Sequence, residues 1–127
     1  MTNPAERREY LRAEVNVFVN EDLETEAMLA RALDISEAGM RYTKPSGPVK
    51  RTGPEVRLEF CLPGEQEPVQ AKGLVIYDYL DEKAHSTSVT FTALDTNDAE
   101  RIRQYVIRRC RAELFDLMKK EHLGQVA

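Results

Sequence analysis

The apolar residues of this chain change their spacing once, and that change limits the fold more than any other feature. Up to about residue 95 they recur at every second position, in short runs separated by turn residues. From Asn97 onward they recur every third or fourth position without a break. Period two describes strands with one face inward, and a period near 3.6 describes a helix with one apolar stripe. The runs fall at 13–20, 28–34, 40–43, 56–61, 69–79 and 86–93. In the first, Val15, Phe18 and Val19 stand among polar residues with one slip from strict alternation. Gly73 lies inside the fifth run and suggests a bulge or bend. Residues 44–54 hold Pro45, Gly47, Pro48, Gly53 and Pro54 and read as a loop. Pro63-Gly64 and Asp81-Glu82-Lys83 read as turns. Asn97 and Glu100 suit a capping box, and Ile102, Val106, Cys110, Leu114 and Met118 form a stripe at spacing four. The pattern predicts a mainly β protein: six antiparallel strands in a small barrel, then one long C-terminal α-helix.

At 127 residues the chain suits one domain. The expected division is an arm over 1–12, a barrel over 13–95 and a helix over 96–122. No apolar run reaches the roughly 18 residues that span a bilayer, and residues 1–10 lack a signal-peptide core. A cytoplasmic protein without membrane insertion is the expectation. Two cysteines, Cys61 and Cys110, make no disulfide framework and have no zinc spacing. They read as buried thiols, and His85 and His122 as surface histidines. No metal site, cofactor or catalytic constellation is expected, and hence no enzyme.

The formal charge is −4, which disfavours a general nucleic-acid binder. Against that background Arg7, Arg8 and Arg12 form a small basic cluster opposed only by Glu6 and Glu9. Such a cluster suits a compact anionic ligand. Two motifs carry chemistry. In Arg8-Glu9-Tyr10-Leu11-Arg12, two guanidinium groups four residues apart can grip phosphate bidentately or lie flat on a purine. In Asp34-Ile35-Ser36-Glu37-Ala38-Gly39, the carboxylate can accept two adjacent N–H donors, as a guanine edge offers. The serine supplies a hydroxyl, and the glycine permits close backbone approach.

Taken together, an Arg-x-x-x-Arg arm, a strand pair, an Asp-x-Ser-x-x-Gly turn, further strands and a helix resemble the PilZ domain family over residues 6–110. Val56-Arg57-Leu58, Gly73-Leu74-Val75-Ile76-Tyr77, Val89-Thr90-Phe91 and Arg101-Ile102-Arg103-Gln104-Tyr105-Val106 fit the same pattern. Where family members often carry a glycine before the Val-x-Phe strand, this chain has Ser86-Thr87-Ser88. The resemblance implies a six-stranded barrel that binds the bacterial second messenger cyclic di-GMP. It carries the ligand role to Arg8 and Arg12, to Asp34, Ser36 and Gly39, and to the upstream Arg7. Tyr77 falls where some members place an aromatic against the ligand. The expected function is a receptor that relays ligand binding by ordering its arm before a partner. The alternative is a degenerate adaptor that works by protein contacts without nucleotide. A nucleic-acid-binding barrel is a further alternative, disfavoured by the charge. The helix beyond Val106, with Ile107, Leu114, Phe115, Leu117 and Met118, is longer than a small barrel needs. It is expected to meet a protein partner or a second chain. The downstream pathway is not encoded in the pattern.

Overall fold

A computed structural model describes residues 11–23, 26–45, 51 and 53–126, with the side chains described up to residue 120. Arg7 and Arg8 lie outside the described residues. The element order is β1 (Ala13–Glu14), β2 (Phe18–Asp22), β3 (Ala27–Ser36), β4 (Gly39–Pro45), β5 (Glu55–Phe60), β6 (Val69–Leu80), β7 (Ala84–Leu94) and α1 (Thr96–Val126). The order β3-β2-β5-β6-β7-β4 closes on itself because β3 also pairs with β4, giving a six-stranded antiparallel barrel. The short β1 is an extra strand on β3.

The first expected strand is divided. Glu14 pairs with Asp34 and Phe18 with Arg31, so three residues of one strand face two of the other. This is the count of a β-bulge. Ala13, Val15, Val19 and Glu21 are buried on one unbroken alternation. Phe18 therefore points outward, with the Arg31 guanidinium 5.5 Å from its ring centroid. The expected irregularity at Gly73 is present as a register shift between Lys72 and Gly73. A Cβ at Gly73 would come within 2.3 Å of the Val89 side chain, so the site admits no larger residue without movement.

Inside the barrel, composition changes with distance from α1. Near the helix an inward row of Ala13, Ile35, Met40, Val89 and Val75 joins Ile102 and Val106 in an apolar core. One row further on stand Ala32, Tyr42, Thr87 and Asp78, and then Lys44 beside His85. Glu21 is fully buried here. It accepts from the Tyr42 hydroxyl and from Lys44 Nζ at 2.8 Å, and Arg51 Nε lies 3.3 Å away. Arg51 also donates to both oxygens of Asp78, at 2.8 and 2.9 Å, and His85 Nε2 is 2.8 Å from Asp78. His85 is 1% exposed, so the surface placement expected for it is wrong. The lysine, arginine and carboxylates around it form a network that makes a polar interior tolerable. Both cysteines are half-buried rather than buried.

Burial works to raise the Glu21 pKa, yet the hydrogen bonds from Lys44 and Tyr42 and the Arg51 charge outweigh it and leave it lowered. The Arg51 hydrogen bonds hold Asp78 well below the ordinary carboxylate range, against a smaller opposing effect of burial. Burial, followed by the Glu21 charge, pushes Tyr42 far above the ordinary phenol value.

The helix starts one residue before the expected cap. Asp95 is the capping residue: its carboxylate accepts from Asn97 N–H at 2.8 Å and its carbonyl from Ala99 N–H at 2.9 Å. Among the described residues α1 packs on the barrel through Ile102 and Val106, with Tyr105 and Cys110 at the margin. Leu114, Phe115, Leu117 and Met118 are each more than half exposed. Among the described residues no helix is long and apolar enough to cross a membrane.

Replacing Glu21 by Leu would leave Lys44 and Arg51 short of a buried counter-charge. Breaking a buried ion pair costs about 3–5 kcal/mol, so the urea midpoint should fall sharply; an unchanged midpoint would show that the network is not holding the barrel. The two lowered carboxylates also set a sign with pH. The folded state binds fewer protons than the unfolded chain below about pH 5. Stability is therefore fully present above that value and is lost as pH falls. Urea titrations at successive pH values should show this loss, and Asp78→Asn should flatten it.

Candidate functional site

The turn between β3 and β4 has two residues, Glu37 and Ala38, so Ser36 faces Gly39 and Asp34 faces Arg41. A second bulge, at Leu33, shifts the register between Ala32 and Asp34. Before it the even-numbered residues Ala30 and Ala32 are buried, and after it Ile35 is. The extra residue turns Asp34 to the outer face of the barrel while Ile35 takes the core position.

On that outer face Asp34 is gripped from two sides. Arg12 Nη1 donates to Oδ1 at 2.8 Å, and Arg41 Nη2 lies 3.0 Å from Oδ2. The Asp34 side chain is 13% exposed, while both arginines remain about half exposed. The last arginine of the first motif thus rests on the first residue of the second. Ser36 is buried, and its Oγ accepts from Ala38 N–H at 3.1 Å, closing the turn. Gly39 faces β7 so closely that a Cβ would stand 2.1 Å from the Val89 carbonyl oxygen. Ser36 and Gly39 thereby build the turn that presents Asp34.

Tyr77 joins this surface through the register. Asp34 faces Arg41, Arg41 faces Ser88, and Ser88 faces Tyr77, one outward row across β3, β4, β7 and β6. Three strand spacings of about 4.8 Å separate its ends by roughly 14 Å. Tyr77 is 60% exposed. A parallel row holds Phe18, Arg31, Thr43, Ser86 and Tyr79. The result is a shallow face with arginines at one side and exposed aromatic rings at the other. It can neutralise phosphate, stack bases and offer one doubly accepting carboxylate.

Arg41, Arg31 and Tyr79 were not singled out from sequence. For Arg41 the signal was present: a two-residue turn between Ser36 and Gly39 pairs 34 with 41 by counting alone. For Tyr79 there was none, because its row depends on pairings across three strands.

Behind the face lies α1. The Tyr105 hydroxyl donates to the Glu14 carbonyl at 2.8 Å, and Cys110 Sγ is 3.7 Å from the Arg12 carbonyl. The backbone that carries Arg12 is therefore fastened to the helix. Among the described residues no group of histidine, cysteine and carboxylate side chains could hold a metal ion.

Comparison with known proteins agrees with this fold. The family model for the PilZ domain matches residues 6–108. No curated protein matches by sequence. Several solved structures share the fold. The Bacillus subtilis inhibitor of motility, MotI/DgrA, superposes with a TM-score of 0.74 at 21% identity, covering 88% of this chain and 57% of that one. The PilZ domain with c-di-GMP of YcgR from Escherichia coli gives 0.66 at 16%, covering 89% and 98%. Apo MrkH of K. pneumonia gives 0.70 at 18%, covering 91% and 55%. The chain thus spans a little over half the length of MotI/DgrA and MrkH.

If Gly39 serves the β4–β7 approach, Gly39→Ala should destabilise the fold by about 1–3 kcal/mol, the cost of overpacking. Thermal melting checks this without any ligand, and an unaltered melting temperature would return Gly39 to a role in binding alone.

Proposed function

From the premise that the chain belongs to the PilZ domain family, we propose that it is a receptor for cyclic di-GMP, a binding module and not an enzyme. The observation that carries this reading is the Arg12–Asp34 ion pair on the outer face, at the head of a row that ends in an exposed tyrosine. Solved neighbours support it: YcgR, MrkH and PlzA are each described in complex with c-di-GMP.

In this reading Arg8 and Arg12 take the phosphates, with Arg7 adding charge. Asp34 accepts from a guanine edge once Arg12 moves from its carboxylate to the ligand. Ser36 and Gly39 hold the turn, and Tyr77 meets the far base. Arg12 exchanges an internal anion for an external one, so little charge is left uncompensated in either state. No cofactor is needed.

The relay would run through the backbone at Arg12 and Glu14, which touches Cys110 and Tyr105 of α1. Ordering the arm would then change the surface beside the helix. The exposed stripe of Leu114, Phe115, Leu117 and Met118 is where a protein partner or a second chain would bind. That stripe also favours a second reading, an adaptor acting without nucleotide.

Calorimetric titration with cyclic di-GMP separates the two. Binding is expected, and Arg8→Ala or Arg12→Ala should each weaken it by roughly 10- to 150-fold, for charge-assisted contacts of about 1.5–3 kcal/mol. Asp34→Ala should weaken binding and also narrow the preference for cyclic di-GMP over cyclic di-AMP. Absence of binding by the unaltered chain would leave the adaptor reading.

A further inference from the structure

We infer that the outer half of α1 pairs, antiparallel and across a twofold axis, with the same segment of a second copy of this chain. This rests on the reading of the exposed stripe as a binding surface and names its occupant; it requires no nucleotide.

The stripe does not continue the contact of α1 with its own barrel. Each residue of an α-helix turns the side-chain direction by about 100°. Residues spaced by four, such as Ile102, Val106, Cys110, Leu114 and Met118, therefore advance about 40° per step. Ile102 and Val106 are buried in the core that joins helix to barrel. From their mean direction Leu114 stands about 100° round the helix and Met118 about 140° round. The helix thus carries these side chains off the barrel, and they are 58% and 59% exposed. Leu117 stays within about 40° of the barrel direction and is 57% exposed as well, so it lies beyond the barrel's reach. Phe115 stands apart from the stripe, with Lys119 Nζ 4.8 Å from its ring centroid.

The residue pattern identifies what covers the stripe. Ile107 and Leu114 are seven residues apart, and so are Cys110 and Leu117, which are the a and d positions of two heptads. α1 runs on to Val126, so the segment is helical before it meets a partner. Turned about a twofold axis perpendicular to the helix, it sets Leu114 beside Leu117 of the second copy, and the reverse. In that register Glu113 and Lys120, one heptad apart on one flank, fall opposite each other across the seam, twice over. Within its own helix Glu113 has only the loose neighbour Arg109, at 3.7 Å. On the other flank Arg111 lies along Met118 of the second copy, where its aliphatic stem covers apolar surface. A parallel pair would set Glu113 beside Met118 and match no charge. The charges therefore fit a second copy, and they fit it in the antiparallel sense. Two heptads of seam, roughly 20 Å long, fall short of a standard interface, so the dimer is weak and reversible.

The test uses the full chain without ligand, at low salt, from micromolar to near-millimolar concentration. Sedimentation velocity should show a monomer–dimer equilibrium, weakened at least tenfold by Leu114→Glu with Leu117→Glu. Both leucines are more than half exposed, so the barrel should melt as before. Glu113→Lys or Lys120→Glu alone should weaken the dimer roughly threefold or more, because each sets like charges across the seam twice. Mixing those two variants should restore association, since each supplies the charges the other lacks. A chain that is monomeric throughout overturns the inference, and that measurement needs no variant. So does a dimer that tolerates the leucine changes, or a pair of charge variants that fails to associate on mixing. Calorimetry with cyclic di-GMP on the unaltered chain reads the receptor proposal separately. A chain that binds nucleotide and never dimerises overturns this inference alone, and one that dimerises without binding nucleotide overturns the receptor alone.

Discussion

Closure of the barrel rests on the pairing of β3 with β4. β3 is ten residues long and has β1 and β2 along one side and β4 along the other. Without the β4 contact the sheet would be open, with two long edges exposed to other chains. With it, the two-residue turn at the β3–β4 corner becomes a rigid part of the wall, braced by β7 lying against Gly39. Among the described residues, three of the candidates for recognition depend on that corner. Asp34 is on it, Arg41 faces Asp34 across it, and Arg12 reaches it from the strand alongside.

The core and the candidate recognition residues are drawn from opposite faces of the same strands. Inward positions hold the apolar core near α1 and the Glu21–Lys44–Arg51–Asp78–His85 network away from it. Outward positions hold the arginines, Asp34 and the tyrosines. Asp78 lies between Tyr77 and Tyr79 in sequence and is held by the buried guanidinium of Arg51, so the placement of the rings on the surface is tied to an interior charge. The two functions are separable by residue yet share one backbone.

Much of this was legible in the sequence. Alternation located the strands and the change of period located the helix, because both follow from which residues must leave water. The motifs marked Arg12 and Asp34, which the structure brings to 2.8 Å. Other features were hidden for physical reasons. Phe18 looks like a core residue by composition, but strand phase, not hydrophobicity, decides its side. His85 and Glu21 look like surface residues, because the partners that make their burial affordable come from strands far away in the chain. The capping residue was misplaced by two positions because Asp95, Asn97 and Asp98 are all chemically suited to the role. The helix stripe was visible, and what it meets was not.

Leu33 contributes little by its own chemistry; its importance is that it is there to be counted. Because the bulge adds one residue to β3, everything after it is turned over relative to everything before. Deleting Leu33 would leave the Asp-x-Ser-x-x-Gly motif intact letter for letter, yet would bring Asp34 toward the interior and Ile35 toward solvent. A single lost codon in this strand would take the carboxylate off the outer face, and a motif search would still report the motif as present.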